Sequence, residues 1–528
     1  MKNIKFKFIA SVMAGAALVS CNDLDTAPMG ATITSDQKEE TIAANPDRID
    51  ASVTAITSMF SVYANILPNS FGHEDYGFAS AMLGLDSRGT DLVSEDTGYN
   101  WYTRNLNFAD VQANGRPTRM AWATLYNQIY TANNVTSVID PETEDAKLKF
   151  SLAQALAIRA FDYFWLVQLY QHTYVGNQDK LGVPIITEAN QTEAAANGCA
   201  RSTVEEVYAQ VMTDLDKAIS LLEDAEAEGV TRDDNRYVSK EVAYGIRARV
   251  NLVMNNWSAA AADAQKAIDG SGAPYSMEDV AVPGFTDIED WMWGILISET
   301  DRVVTSGIVN WPSHMGSLNN GYASVGAWRM VNQKLYAMIA DSDVRKGWFL
   351  DENGLSVNLS AAQQAYVTEE AGCPPYTQMK FGPYNGEIYT STNACDIPLM
   401  RVEEMYLILA EAQAMGGNAA QGATTLQNFV QTYRDAEYTC TATTAEAVQD
   451  AVWTQRRIEL WGEGLSYFDI MRLKKGVDRR GCGFQEAYVF NVPASDAAMI
   501  YPIPEAEMQA NSLMEQNPVA TIPQPVTE

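Results

Sequence analysis

The amino-acid sequence predicts a mostly α-helical protein whose helices pair into antiparallel hairpins and stack into a scaffold. Three observations lead to this fold class. Apolar residues recur at intervals of three and four along several long segments of the 528-residue chain. Paired asparagines or glycines interrupt these segments, as the turn of a helical hairpin often does. The hydrophobic content of 47% is sufficient for a large core.

The first long helices are predicted over residues 119–139, 147–170 and 203–222. Ser202 and Thr203 offer an N-terminal cap to the third helix, and acidic residues follow in its first turn. The periodic apolar positions are Trp122, Leu125, Ile129, Val135 and Val138 in the first helix, and Leu152, Leu156, Phe164 and Val167 in the second.

A helical pair is predicted over residues 239–269, and another over 401–415 and 419–434. The breaks between their helices are Asn255-Asn256 and Gly416-Gly417. In the first pair, small residues recur at a spacing typical of tetratricopeptide (TPR) repeats, in which helices approach closely. These residues are Ala248, Ala260 and Ala267. The scaffold is therefore expected to consist of degenerate, TPR-like stacked helical hairpins.

Residues 270–400 interrupt the helical pattern. They are rich in glycine, proline, asparagine and aromatic residues and contain few helical runs. Loops held by a rigid scaffold are frequent locations of binding sites. We therefore expect this irregular insertion to carry the binding face. Its aromatic residues include Trp291, Trp293, Trp311, Trp328, Trp348, Tyr322, Tyr376, Tyr384 and Tyr389.

The N-terminus has the layout of a bacterial export signal. Three lysines precede an uncharged run over residues 8–20, which is too short to span a bilayer. The segment ending in Cys21 resembles the lipobox of bacterial lipoproteins, in which the cysteine is lipidated, and Asp23 and Asp25 resemble an acidic surface-export signal. The predicted divisions are a signal peptide (1–20), a lipidated N-terminus and tether (21–45) and a single domain (46–528).

Charge and cysteine usage exclude several classes of function. The net charge of −31 argues against nucleic acid as a partner and against a polybasic membrane-binding face. The five cysteines beyond Cys21 form no CxxC pair and no zinc motif. They are expected to be free thiols, with a Cys373–Cys395 disulfide as an alternative. No metal or cofactor is predicted.

Catalytic motifs do not appear in the sequence. The three histidines, His73, His172 and His314, are scattered, and no HExxH, GxSxG, Walker or GxGxxG pattern is present. A carboxylate pair acting as in a glycosidase stays an alternative, although no pair stands out among the 67 acidic residues. The sequence therefore favours a binding protein. Structural ion pairs are expected for Arg456, Arg457, Glu459, Glu463, Asp469 and Arg472.

Several segments resemble the SusD/RagB family of outer-membrane nutrient-binding lipoproteins. They are "CNDLDTAP", "WATLYNQIYTANNV", "AQALAIRAFDYFWLVQLY" with "GVPII", "PLMRVEEMYLILAEAQAMGG", "QRRIELWGEGLSYFDIMRLKKG" and "YPIPEAEMQANSLMEQNP". This chain departs from the family pattern at three places. Ser466 stands where the family often has arginine, the linker 171–181 separates two of the motifs, and the sequence after the late helix differs. These are scaffold positions, and the resemblance extends over nearly the whole chain.

The resemblance implies a SusD-like domain that is lipid-anchored to the outer membrane and exposed on the outer surface. Such a protein captures a nutrient and delivers it to a TonB-dependent, SusC-like transporter. The implied cargo is an oligosaccharide, with a peptide as the alternative cargo. A surface glycan hydrolase is a less favoured alternative function. The residue types of the insertion suit an oligosaccharide. Aromatic rings pack on the C–H faces of sugars, and polar side chains bind their hydroxyls.

The ligand site is expected where residues 72–108 meet residues 303–330. In the resemblance, loops at these two places line the ligand face. The candidate residues are Arg88, Asp91, Trp101, Tyr102 and Asn105 in the first segment, and Trp311, Tyr322 and Trp328 in the second. Trp101 and Trp311 are the leading candidates, because both have polar neighbours and neither belongs to a clear helical stripe.

Overall fold

The structure is a computed structural model. It describes Lys38, Thr41, Ile42 and residues 44–64, 66–67, 70–284 and 291–527. The predicted signal peptide (1–20), the lipidation site Cys21 and most of the tether (21–45) lie outside these residues. Within the described part of the chain, no helix combines the length and the hydropathy needed to cross a membrane.

Helices dominate the described residues. They are α1 (Asp50–Ser58), α2 (Phe78–Arg88), α3 (Thr103–Leu106), α4 (Arg116–Thr136), α5 (Ala146–Tyr170), α6 (Gln191–Asn197), α7 (Val204–Ala227), α8 (Lys240–Val253), α9 (Trp257–Asp269), α10 (Met277–Val280), α11 (Arg302–Thr305), α12 (Trp311–Met315), α13 (Gln333–Tyr336), α14 (Ala361–Ala365), α15 (Val402–Met415), α16 (Ala419–Tyr433), α17 (Ala445–Glu459), α18 (Ser466–Arg472) and α19 (Glu505–Ala510).

The predicted helices form for the reasons read from the sequence. Thr203 caps α7 by accepting a hydrogen bond from the backbone N–H of Glu206, whose carboxylate in turn accepts from the Thr203 backbone. Asn255 separates α8 from α9 in a left-handed conformation (φ 61°), which asparagine tolerates better than most residues. Ala248, Ala260 and Ala267 are fully buried, so small side chains do allow close helix packing.

The helix α5 forms the centre of the scaffold, because it is buried around almost its whole circumference. It packs between α4 and α7, and α7 contacts α8. The stack continues through α9 against α8 and α15, and α15 contacts α16 and α17. The predicted fold class, a mostly helical stack of TPR-like hairpins, is therefore confirmed.

Strands are short in the described residues and pair antiparallel. They are β1 (Leu92–Val93), β2 (Trp293–Ile295), β3 (Met330–Val331), β4 (Ile397–Met400), β5 (Val477–Asp478) and β6 (Asn491–Val492). The pairs are β1 with β3, β2 with β4, and β5 with β6. The β1–β3 pair places Val93 opposite Met330, and thereby joins the two segments in which the ligand site was predicted.

A buried ion network holds the insertion to the late helices. The Glu459 carboxylate accepts hydrogen bonds from Arg401, Arg434 and Arg345 at 2.8–3.1 Å, and all four side chains are fully buried. Burial alone would raise the pKa of Glu459, but these guanidinium groups hold it well below its ordinary value. Glu463 pairs with Lys380 at 2.6 Å in the same network.

The six charged residues expected to be structural all form ion pairs. Arg456 pairs with Asp469 at 2.7 Å, and Arg472 contacts both Asp469 and Glu411. The alternative of a Cys373–Cys395 disulfide is wrong, because both thiols are free.

Candidate functional site

A cluster of rings, three of them exposed, lies where the two predicted segments meet. It consists of Phe71, His73, Tyr99, Trp101 and Tyr322, and we name it the aromatic platform. The first two residues lie between α1 and α2, the next two lie before α3, and Tyr322 follows α12. Phe71, Tyr99 and Trp101 are 53%, 51% and 41% exposed, which is unusual for such large apolar side chains.

The platform rings contact one another in a continuous series. His73 stacks on Trp101 with 4.7 Å between ring centroids and 16° between ring planes. Tyr322 lies edge-on to Trp101 at 6.3 Å, and Tyr99 lies 6.5 Å from Tyr322. Phe71 extends the series on the other side, 5.5 Å from His73. Aromatic pairs at these separations attract each other, so the surface is held in shape before a ligand arrives.

A buried histidine supports the platform from below. The His314 ring stacks under Tyr322 at 4.7 Å and against Tyr76 at 5.4 Å. Its Nε2 donates a hydrogen bond to the backbone carbonyl of His73 at 2.9 Å, while Tyr322 hydrogen-bonds the His73 ring. His314 is fully buried. One buried side chain therefore contacts two members of the platform, His73 and Tyr322.

The charge state of His314 follows from its surroundings. Burial, reinforced by the neighbouring Arg329 guanidinium, lowers the pKa of His314 to about 3. The ring is therefore neutral at physiological pH, and it donates through Nε2. Arg329 is itself buried and donates to the His314 backbone carbonyl and to Ser94.

Acidification is expected to weaken the fold through His314. Between about pH 6.5 and 3 the unfolded chain binds a proton that the folded chain does not, so this contribution to stability is lost as pH falls, by about 2 kcal/mol at pH 5. The measurement is urea unfolding at pH 7 and pH 5 for the wild type and for His314→Phe, which keeps a ring. The wild type should lose more stability than the variant on acidification.

The difference between the two proteins isolates His314. Asp75, whose pKa burial raises to about 6, contributes with the opposite sign in both proteins and cancels. Equal losses in the wild type and in His314→Phe would show that His314 does not titrate in this way.

The structure brings some of the predicted site residues together and buries others. Trp101 and Tyr322 belong to the platform, Trp101 as an exposed ring and Tyr322 as a buried one that is 7% exposed. Tyr102 is 2% exposed, and its hydroxyl hydrogen-bonds Tyr76 and Ser80 beneath the surface. Trp311 is 1% exposed and packs edge-on against Phe381 at 4.8 Å, so it belongs to the core.

Trp328 is half-buried and packs beside Val93 and Met330 of the short β1–β3 pair. Trp328 therefore lies beside the β1–β3 pair and does not belong to the ring series of the platform. It therefore supports the junction of the two segments.

The three predicted polar residues lie in the scaffold. Arg88 pairs with buried Asp110, and Asn105 donates to the same carboxylate at 3.1 Å. Asp91 pairs with Arg457. All three predicted side chains are at most 4% exposed, so the expectation that they face a ligand does not fit their placement. They hold the N-terminal loops to the late helices instead.

Four residues of this region were not predicted from the sequence: Phe71, His73, Tyr99 and His314. The two histidines match no catalytic motif, and neither residue by itself marks a binding surface. The signal that was available is the density of rings in "SFGHEDYGF" and "TGYNWY", where aromatic residues alternate with glycine and polar residues. Among the described residues, no group of His, Cys, Asp and Glu has a geometry suited to a metal ion.

A helical scaffold that presents preformed rings at its surface is an arrangement suited to ligand binding. The comparisons then identify the family. A family model described as "Starch-binding associating with outer membrane" matches residues 79–252, and a model of the SusD family matches residues 325–519. The chain belongs to the SusD family. A comparison with curated proteins gives no match.

Solved structures show the same fold. A SusD-like carbohydrate-binding protein from Bacteroides vulgatus is 23% identical with a TM-score of 0.71, covering 89% of this chain and 97% of that chain. A SusD superfamily protein from Bacteroides thetaiotaomicron is 22% identical with a TM-score of 0.70, covering 89% and 99%. A laminarin-binding SusD-like protein is 20% identical with a TM-score of 0.62, also covering 89% and 99%.

Proposed function

We propose that this protein captures an oligosaccharide on the aromatic platform and delivers it to a SusC-like, TonB-dependent transporter. The observation that carries the proposal is the stacked, half-exposed pair of His73 and Trp101 with Tyr322 at its edge. Flat rings match the C–H face of a pyranose, and preformed rings lose little entropy on binding.

Polar groups lie at the edge of the platform, as recognition of sugar hydroxyls requires. Glu74 directly follows His73 in the chain and pairs with Arg116 at 2.7 Å. Arg116 also donates a hydrogen bond to the Ser70 hydroxyl. The loop of Tyr322 meets the loop of Tyr99, since Gly326 lies close to Thr97. Glu74 lines a small cavity together with Trp101, so a carboxylate lies beside the ring on which we place the sugar.

Two other functions are weighed against this one. A peptide is the second candidate cargo, because aromatic side chains also pack on apolar peptide residues. A glycan hydrolase is less favoured. A glycosidase needs two carboxyl groups that reach the substrate. Burial raises the pKa of Asp75 to about 6, as a general acid requires, but the Asp75 side chain is completely buried beside the platform.

Ligand class is tested with the purified chain from residue 46 onward. We expect binding to at least one neutral oligosaccharide in a glycan array and no retention of peptides from a tryptic digest. Calorimetry with the best-binding glycan then checks the array result. Retention of peptides without any glycan signal would favour the peptide cargo, and release of reducing sugar from a bound glycan would favour the hydrolase.

The proposed location is the outer leaflet of the outer membrane, with Cys21 as the lipidated residue. Support comes from the lipobox-like sequence and from the family description, which associates such proteins with the outer membrane. Several acyl chains give stable anchoring, whereas a single chain holds only marginally.

Cys21→Ser is expected to release the protein from the membrane fraction, because no other feature of the acidic sequence favours membrane binding. The measurement is fractionation of cells that lack the transporter, followed by immunoblotting. Cys199→Ser, which removes a free thiol elsewhere in the chain, is the matched control and should stay with the membrane. Membrane-bound Cys21→Ser in these cells would contradict the anchor.

A further inference from the structure

A second concave surface lies on the scaffold, away from the aromatic platform. It is formed by α4, by the segment 184–199 that contains α6, and by the end of α19, and it encloses about 630 Å³. This volume is in the range of small-molecule binding sites. We name this surface the scaffold cleft.

One wall of the scaffold cleft is aromatic. Trp122, Tyr126 and Tyr130 follow one another at intervals of four along α4, so they lie on the same helix face. The Trp122 and Tyr126 rings are 4.6 Å apart, and the Tyr126 hydroxyl donates to the carbonyl of Pro184. Tyr130 is 61% exposed at the rim. A large ring left in solvent beside two fixed rings is available for a ligand.

The other wall carries polar groups. Gln191 lies at the start of α6 with a partly buried side chain, and its Oε1 atom has no hydrogen-bond donor within the protein. Asn511 donates to the carbonyl of Cys199 and to Glu507, which fixes the amide at the far edge. The two amides therefore place polar groups opposite the aromatic wall.

The charges of the residues that line the scaffold cleft indicate which class of ligand it can bind. Glu507 is the single charged residue among the described residues that line the cleft, and no lysine or arginine is present there. Anionic molecules such as phosphates or sulfated glycans therefore lack a partner. Rings on one wall and amide groups on the other match a neutral sugar. We propose that the scaffold cleft is a second site for a neutral oligosaccharide, a proposal that rests on the proposed function for its ligand class.

The cleft and the aromatic platform are separate sites. Pro117, Met120 and Thr124 of α4 line a small cavity that adjoins Trp101. With 3.6 residues per turn, these positions face away from Trp122, Tyr126 and Tyr130. The two sites therefore lie on opposite sides of one helix, and each is open to variants that leave the other unchanged.

The test uses variants of the exposed rings. Calorimetry is done with laminarihexaose, maltohexaose, mannohexaose and xylohexaose on the wild type, Trp101→Ala, Tyr130→Ala and the double variant. We expect Trp101→Ala to keep a weaker binding event that Tyr130→Ala in the same chain reduces at least about fivefold. Tyr389→Ala, an exposed tyrosine outside both linings, is the control and should bind like the wild type.

Each outcome decides between the two proposals. If Trp101→Ala and the double variant show the same residual binding, the second site is overturned and the platform stands. If Trp101→Ala shows no residual binding at all, the conclusion is the same. Loss in Tyr130→Ala with unchanged binding in Trp101→Ala supports the cleft and contradicts the platform. No binding of any hexasaccharide at millimolar concentration, or displacement of the residual event by a tryptic peptide mixture, overturns the cleft as a sugar site.

Discussion

Glu459→Gln is expected to lower the free energy of unfolding by about 3–5 kcal/mol. Glutamine keeps the shape of the side chain but removes the charge that three buried guanidinium groups share. Arg345, Arg401 and Arg434 would then be left in the protein interior with less compensation. The measurement is urea unfolding at pH 7, monitored by circular dichroism.

The matched control is Glu446→Gln, which lies in the first turn of the same helix, α17, with an exposed side chain. It should cost at most about 1 kcal/mol, from the lost interaction with the helix dipole. If Glu459→Gln and Glu446→Gln unfold at the same urea concentration, the network does not hold the insertion to the late helices as we infer.

Trp101→Ala is expected to weaken oligosaccharide binding about 5- to 150-fold, by analogy with the 1–3 kcal/mol lost when a ring that stacks on a base is removed. The fold should be unaffected, because the side chain is 41% exposed. The measurement is calorimetry with the best-binding glycan, together with a thermal melt of each protein.

Trp311→Ala gives the contrasting result. Its side chain is almost completely buried against Phe381, so truncation should cost about 3–5 kcal/mol of stability. A stable Trp311→Ala variant with lost binding would place the ligand there, and a fully active Trp101→Ala variant would remove the platform from the site.

The helices were predictable because their signals are local. The periodicity of α4 and α5, the cap of α7 and the asparagine break after α8 each depend on a few neighbouring residues. Helix α17 escaped prediction as a helix, although its charged residues were expected to form ion pairs. Its apolar stripe is weak, since buried arginine and glutamate replace apolar residues in its last turns.

The site was predictable as a region and less so as a set of residues. Arg88 and Asp91 lie in a polar, glycine-punctuated stretch that suggests exposure. Their burial depends on distant partners, such as Arg457, which is 366 positions from Asp91. Trp101 and Trp311 have similar neighbours in sequence, and only the tertiary contact with Phe381 separates a surface ring from a core ring.

The central claim is that a sugar binds on the ring pair of His73 and Trp101. The most direct test is a crystal structure of the chain with the hexasaccharide that binds best. We predict one pyranose ring parallel to the Trp101 indole, with carbon atoms about 4 Å from it. A well-ordered sugar bound elsewhere, with the aromatic platform empty at saturating ligand, would contradict the claim.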